Sequence, residues 1–151
     1  PNATIYATDV SGDAMQVAAQ NVWRYGVGDR VQLLPGILLD CLPEPVDLIV
    51  ANLPYVATPD LRSLPPQVRH YEPILALDGG DDGCQVIQGL LEELARPGSR
   101  EYLRRGGAVF LEIGADQGER VHDLVLRYLP GAACGVQVDY AGLDRIVAVT
   151  T

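Results

Sequence analysis

The stretch Val46-Asp47-Leu48-Ile49-Val50-Ala51-Asn52-Leu53-Pro54-Tyr55 decides how this chain reads. An almost unbroken apolar run stops at a polar residue, and a proline follows two places on. Runs of this kind fit strands covered on both faces, as in a parallel sheet. Residues 4–7, 31–34 and 108–113 are runs of the same sort. Between them, apolar residues recur at helical spacing. Met15, Ala18, Ala19 and Val22 share one face, with Ser11 as N-cap and Gly26 as the stop. Ile87, Leu90, Leu91 and Leu94 repeat the pattern ahead of Pro97-Gly98, and Val121, Leu124, Val125 and Tyr128 repeat it ahead of Pro130-Gly131. At the end Val136, Val138 and Tyr140 alternate, and Ala141-Gly142-Leu143 turns the chain into residues 145–149. Alternating strands and helices predict an α/β domain with a mostly parallel sheet and a terminal antiparallel hairpin. The length, 151 residues, is that of a single domain.

Composition narrows the function classes. Hydrophobic residues make up 48% and charged residues 21%, enough apolar material for a packed core. Twenty acidic residues against eleven basic ones leave a net charge of −9, the opposite of what phosphate neutralisation requires of a duplex-DNA binder. Cys41, Cys84 and Cys134 lack metal-ligand spacing, and His70 and His122 stand alone, so a zinc site or a catalytic triad has little material. No apolar run approaches the roughly 18 residues that span a membrane. The chain opens at Pro1 without a basic-then-apolar leader, and a cytoplasmic protein with reduced thiols is expected.

Ligands of open α/β sheets bind beyond the carboxyl ends of the strands, which points to Asp9, Asn52 and Glu112. Asn52 offers one acceptor and two donors. Pro54 holds Leu53 extended, which fixes the Leu53 carbonyl beside the Asn52 side chain. Two fixed acceptors side by side suit a planar NH₂ group, an amide or an adenine amine, and Tyr55 supplies a flat wall for it. A plain Asn-Pro turn explains the same residues on backbone grounds, and the residues alone leave both readings open. Residues 58–83 form a long connection holding Pro59, Pro65, Pro66 and Pro73, and connections of such length are often functional. Gly79-Gly80-Asp81-Asp82-Gly83 looks superficially like a phosphate cradle. It is acidic and has no lysine, so a turn leading into a capped helix near Cys84 is expected.

Asn52-Leu53-Pro54-Tyr55 resembles the Asn-Pro-Pro-Tyr motif of methyltransferases that act on planar nitrogens. Tyr71-Glu72-Pro73, Ala76-Leu77-Asp78-Gly79-Gly80-Asp81-Asp82-Gly83, Leu111-Glu112-Ile113-Gly114 with Gln117, and Asp139-Tyr140-Ala141-Gly142-Leu143-Asp144-Arg145 follow in that order. Together they resemble the HemK/PrmC family of protein-(glutamine-N5) methyltransferases over essentially the whole chain. The resemblance implies a Rossmann-like class I methyltransferase fold, S-adenosylmethionine as cofactor, and the glutamine of a Gly-Gly-Gln loop in peptide-chain release factors as substrate. It implies catalytic roles for Asn52, Leu53, Pro54 and Tyr55, with the Asn52 side chain and the Leu53 carbonyl accepting from the substrate amide. Asp9 would hold the ribose hydroxyls, and Val10, Ile37 and Asn52 would border the cofactor. Glu72 and Pro73, with Asn52 and Tyr55, would shape the substrate side. Glu112 would either support its neighbours or serve as a structural acid. The chain departs from the family at Leu53, where a proline is usual, and at Gly36-Ile37, where Gly-Asp is common. Ile37 can pack on an adenine ring but cannot accept from its amine, which leaves Asp40 as a substitute.

The resemblance also implies a preceding strand and Gly-rich loop, which this sequence does not contain, and in the family that strand lies centrally between those of residues 5–7 and 46–51. Two further readings stay open: a related methyltransferase acting on adenine or on a ribosomal-protein glutamine, and a non-catalytic binding domain of methyltransferase descent. The isolated chain is expected to bind cofactor poorly, and either to gap its sheet or to pair strand edges with another copy. Light scattering and cofactor titration check this; a strictly monomeric chain with micromolar cofactor affinity would contradict it.

Overall fold

The computed structural model describes residues 2–96 and 101–151, so Pro97-Gly98 lies outside the described residues. In order, the elements are β1 (Ile5–Asp9), α1 (Gly12–Tyr25), β2 (Val31–Pro35), β3 (Val46–Ala51), α2 (Pro66–Tyr71), α3 (Gln85–Ala95), β4 (Leu103–Glu112), α4 (Gly118–Tyr128), β5 (Ala133–Val138) and β6 (Asp144–Thr150). Two 3₁₀ turns, Thr58–Ser63 and Ile74–Ala76, flank α2. The chain divides into two compact units, one ending at Pro45 and one starting at Val46.

In the first unit β1 and β2 pair in parallel, from Ile5 opposite Val31 to Asp9 opposite Pro35, and α1 connects them. The Ser11 hydroxyl accepts from the Ala14 N–H at 3.2 Å, satisfying one of the orphan donors that open a helix. Gly26 ends α1 at φ 61°, a left-handed conformation in which only glycine avoids a steric penalty. The apolar stripe of α1 is only half covered: Met15, Ala18 and Val22 are intermediate and Ala19 is exposed.

The second unit is a four-stranded sheet in the order β3-β4-β6-β5. The β3–β4 pair is parallel, with Ile49 opposite Val109, and β6 runs antiparallel to both β4 and β5. Val109 faces Val149 and Leu111 faces Val147 across the β4–β6 ladder, so one sheet face carries an unbroken apolar patch. That face is fully buried together with Ile87, Leu90 and Leu91 of α3 and Val121 and Val125 of α4. The other face differs from the sequence expectation of strands covered on both sides: Leu48 and Val50 are 51% and 73% exposed. The buried residues of β3 and β4, Ile49, Val109 and Leu111, all lie on the face packed with α3 and α4, and Leu48 and Val50 point the other way. Ile5 in β1 is exposed as well.

The terminal hairpin forms as the alternation predicts. Its turn is stapled by Asp139, whose Oδ1 accepts from the N–H groups of Ala141 at 2.8 Å and Leu143 at 3.1 Å while Oδ2 takes Arg145 at 3.3 Å. Those N–H bonds, the Leu143 one foremost, hold the Asp139 carboxyl below its ordinary range. The connection at 58–83 is not structureless. Pro59 and Pro66 each sit in the first turn of a short helix, where a missing N–H costs nothing.

A core confined to one sheet face predicts unequal truncations. Leu111→Ala is expected to lose about 2–5 kcal/mol, and Val50→Ala to change stability by no more than about 0.5 kcal/mol. Urea denaturation measures both, and comparable losses would contradict the one-sided core.

Candidate functional site

Asn52 follows β3 directly and is exposed. Among the described residues its carboxamide makes no hydrogen bond, and neither does the Leu53 carbonyl. Both acceptors stand ready for a donor from outside. The residues just after them are held tightly. The Tyr55 carbonyl accepts from Gln117 Nε2 at 2.8 Å, whereas the Tyr55 hydroxyl reaches Glu112 Oε1 at 3.4 Å, a loose contact by hydrogen-bond standards. Val56 then pairs in parallel with Asp78: its N–H donates to Leu77 at 2.9 Å and its carbonyl accepts from Gly79 at 2.8 Å. Thr58 continues the strip, its N–H on the Gly80 carbonyl at 2.9 Å and its hydroxyl on Asp78 Oδ1 at 2.7 Å.

The glycines at 79–83 owe their identity to this strip. A Cβ at Gly79 would stand 2.7 Å from the Pro54 carbonyl and 2.5 Å from that of Gly83. At Gly83, whose φ is +75°, it would press on the Tyr55 carbonyl and on Gln117 Nε2. The sequence predicts a turn and a capped helix here. The turn is present, but Cys84 at the N-cap of α3 makes no side-chain capping bond, and it is Asp82 Oδ1 that accepts the Cys84 N–H at 3.0 Å. Close approach to the backbone of residues 54–55 is the function that sequence reasoning missed. Its only signal was glycine density without a phosphate-binding lysine. Gln117 was visible as part of a motif, with no role attached.

The other expected residues fall as follows. Asp9 closes β1, with Oδ1 accepting from the Ser11 N–H at 2.7 Å, so it also shapes the approach to α1. Its Oδ2 makes no hydrogen bond among the described residues. Because β1 and β2 run parallel in register, Val10 and Ile37 emerge beyond the same sheet end as Asp9, 55% and 62% exposed. Gly36 lets the following turn fold back, since a Cβ there would lie 2.6 Å from that of Cys41. An open carboxylate oxygen and exposed apolar side chains at one sheet end are groups of the kind that a ribose and a flat base would need. Asp9, Val10 and Ile37 belong to the first unit and Asn52 to Tyr55 to the second. Asp40 is exposed in the same turn as Ile37. Glu72 and Pro73 lie exposed between α2 and the second 3₁₀ turn, and no side-chain hydrogen bond or ion pair involves Glu72 among the described residues. Glu112 is half-buried, with Oε1 3.4 Å from the Tyr55 hydroxyl, a contact that either of the two expected roles allows. Burial pushes the Cys84 thiol above its ordinary range, which argues against a nucleophilic cysteine beside the motif. Among the described residues no cluster of His, Cys, Asp and Glu could hold a metal ion, and no helix is long and apolar enough to cross a membrane.

No protein-family model matches the chain. Among curated proteins, the release factor glutamine methyltransferase of Moorella thermoacetica is 47% identical over 148 residues, 96% of this chain and 50% of that protein. The protein of the same name from Gloeobacter violaceus is 38% identical over 148 residues, 97% of this chain and 50% of its own length. The ribosomal protein uL3 glutamine methyltransferase of Bordetella pertussis is 45% identical over 118 residues, 78% of this chain and 38% of that protein. The chain thus spans about half the length of the release factor relatives it matches. Among solved structures, a methyltransferase from Pyrococcus furiosus superposes with a TM-score of 0.69 at 19% identity, covering 99% of this chain and 63% of that one. The hMettl16 catalytic domain in complex with the MAT2A 3′UTR hairpin 1 superposes with a TM-score of 0.72 at 13% identity, covering 98% and 57%. These two establish the fold, that of the class I S-adenosylmethionine-dependent methyltransferases.

Two outcomes follow from the strip. Gly83→Ala is expected to cost about 1–3 kcal/mol from backbone strain alone, with the clash added to it, read as a lower urea midpoint; an unchanged midpoint would contradict the packing. The Thr58 hydroxyl, and secondarily the Gly80 N–H, hold the Asp78 carboxyl below the ordinary carboxylate range. A carboxyl with a lowered folded pKa stabilises the fold above its unfolded pKa and loses that contribution as pH falls through the folded one. Asp78→Asn is therefore expected to be less stable than wild type at neutral pH and equal to it in strong acid. A difference that persists in strong acid would refute the Asp78 contribution.

Proposed function

We propose that this chain, which belongs to the family of release factor glutamine methyltransferases, carries the acceptor site of an enzyme that transfers a methyl group from S-adenosylmethionine to the side-chain nitrogen of a protein glutamine. The substrate is the Gly-Gly-Gln glutamine of a peptide-chain release factor. The observation that carries the reading is the pair of unpartnered acceptors at Asn52 and Leu53, placed at the carboxyl end of β3 and backed by a fixed Tyr55.

An amide nitrogen is a poor nucleophile because its lone pair is delocalised into the carbonyl. The substrate NH₂ has two hydrogens, and the Asn52 side-chain oxygen and the Leu53 carbonyl can accept one each. Held so, the nitrogen is fixed in orientation, and positioning of this kind supplies several kcal/mol of a barrier. When bound, S-adenosylmethionine would supply an electrophilic sulfonium methyl to the nitrogen so oriented. Asp9 suits the ribose hydroxyls, since a carboxylate accepts from both, and Val10 and Ile37 suit the adenine faces. Leucine at position 53 keeps the carbonyl that this chemistry uses. The net charge of −9 disfavours nucleic acid as the alternative substrate.

Mass spectrometry of a release factor incubated with S-adenosylmethionine and the full-length protein tests the reading. One added methyl on the Gly-Gly-Gln glutamine is expected, reduced about 100-fold or more by Asn52→Ala. Methylation of ribosomal protein uL3 instead would move the substrate, and no transfer to either protein despite cofactor binding would overturn the reading.

A further inference from the structure

We infer that Gln117 is the positioning residue of the acceptor site: its buried carboxamide ties the loop carrying Asn52 and Leu53 to the end of β4 and so sets where the two acceptors stand. The inference rests on reading Asn52 and Leu53 as the acceptor pair.

Gln117 is 8% exposed, and both ends of its amide are used. Oε1 accepts from the Gly114 N–H and Nε2 donates to the Tyr55 carbonyl, each at 2.8 Å. The orientation has no alternative, because only the oxygen can meet an N–H and only the NH₂ can meet a carbonyl. Gln117 is also the N-cap of α4, yet its side chain makes no capping bond. A serine, threonine or aspartate would cap that helix better. What those shorter residues lack is the reach to bridge two backbone groups, so the choice of glutamine is explained by Tyr55 and not by α4.

The two anchors differ in rigidity. Gly114 follows β4, which is paired on both sides, and Ile113 between them exchanges bonds with Arg145: its N–H donates to the Arg145 carbonyl at 3.0 Å and its carbonyl accepts from the guanidinium at 3.4 Å. The motif at 52–55 is loop, and the Tyr55 carbonyl is only two peptide units from the Leu53 carbonyl, with proline's fixed φ between. Gly83 packs against both Tyr55 and Gln117 Nε2, so no side chain intrudes on the bridge. A shift of Tyr55 therefore moves Leu53 and Asn52 with little slack.

The test uses the full-length protein with Gln117→Glu, Gln117→Met and, separately, Asn52→Ala. Glutamate keeps the acceptor towards Gly114 but, when ionised, sets a second acceptor against the Tyr55 carbonyl; protonated, it donates as the amide does. Gln117→Glu is expected to lower kcat about 100-fold at alkaline pH, with cofactor affinity near wild type and a lowered Tm that still leaves the protein folded at the assay temperature. The deficit relative to wild type at the same pH should shrink at least about tenfold as acid protonates the introduced carboxyl. Asp116, Glu112, Asp82, Asp144, Arg120 and Arg145 are the charged groups nearest the bridge and its anchors, and comparison with wild type at each pH separates their titrations from that of the introduced carboxyl. Gln117→Met should show a similar deficit that does not change with pH. A pH-independent deficit in Gln117→Glu, wild-type kcat in both variants, or loss of cofactor affinity and folding in both would overturn the inference. Retained activity in Asn52→Ala would instead sink the acceptor reading itself.

Discussion

A buried carboxamide must have both its oxygen and its nitrogen satisfied, since a buried polar group left unpaired costs about 1–3 kcal/mol. Gln117 meets that requirement by linking two backbones that are far apart in sequence, Gly114 after β4 and Tyr55 after β3. Much of the second unit is arranged around this link. Gly83 is glycine so that the link has room, and residues 77–80 are drawn against Val56 and Thr58 beside it. The hairpin arginine, Arg145, braces the β4 side through Ile113. Sequence motifs that are remote from one another thereby become parts of a single support.

The support and the chemistry are separate in kind. The Tyr55 and Val56 carbonyls and the Val56 and Thr58 N–H groups are taken up by the protein, whereas the Asn52 carboxamide and the Leu53 carbonyl make no hydrogen bond among the described residues. A rigid base carrying two unpartnered acceptors is what a site for an NH₂ group requires, because any freedom in the acceptors would be lost on binding and weaken it. Leucine in place of the usual proline at position 53 removes one stiffening device, and the bridge to Tyr55 compensates from the other side.

The fold was largely legible in the sequence, for reasons tied to particular residues. Unbroken apolar runs gave β1 to β4, Ser11 and Gly26 marked both ends of α1, and the alternation at Val136 and Val138 gave the hairpin. Periodicity could not show that Leu48 and Val50 are exposed, because the same apolar run serves a strand covered on one side or on two. It also missed α2, where prolines masked a helix that they in fact begin. Among the candidate residues, Asn52, Asp9 and Glu112 could be singled out in the sequence by their place at strand ends. The roles of Gln117, Gly79 and Gly83 were not legible, since each depends on a contact more than twenty residues away along the chain.

The proposed role of Asn52 and Leu53 is to recognise an NH₂ group through two fixed acceptors. The most direct test is the affinity of the full-length protein, with S-adenosylhomocysteine bound, for a release factor carrying Gly-Gly-Gln against one carrying Gly-Gly-Glu. Acceptors facing a carboxylate have no hydrogen to receive, so the glutamate form should bind about 100-fold more weakly or worse. Equal affinity for the two would contradict the acceptor pair.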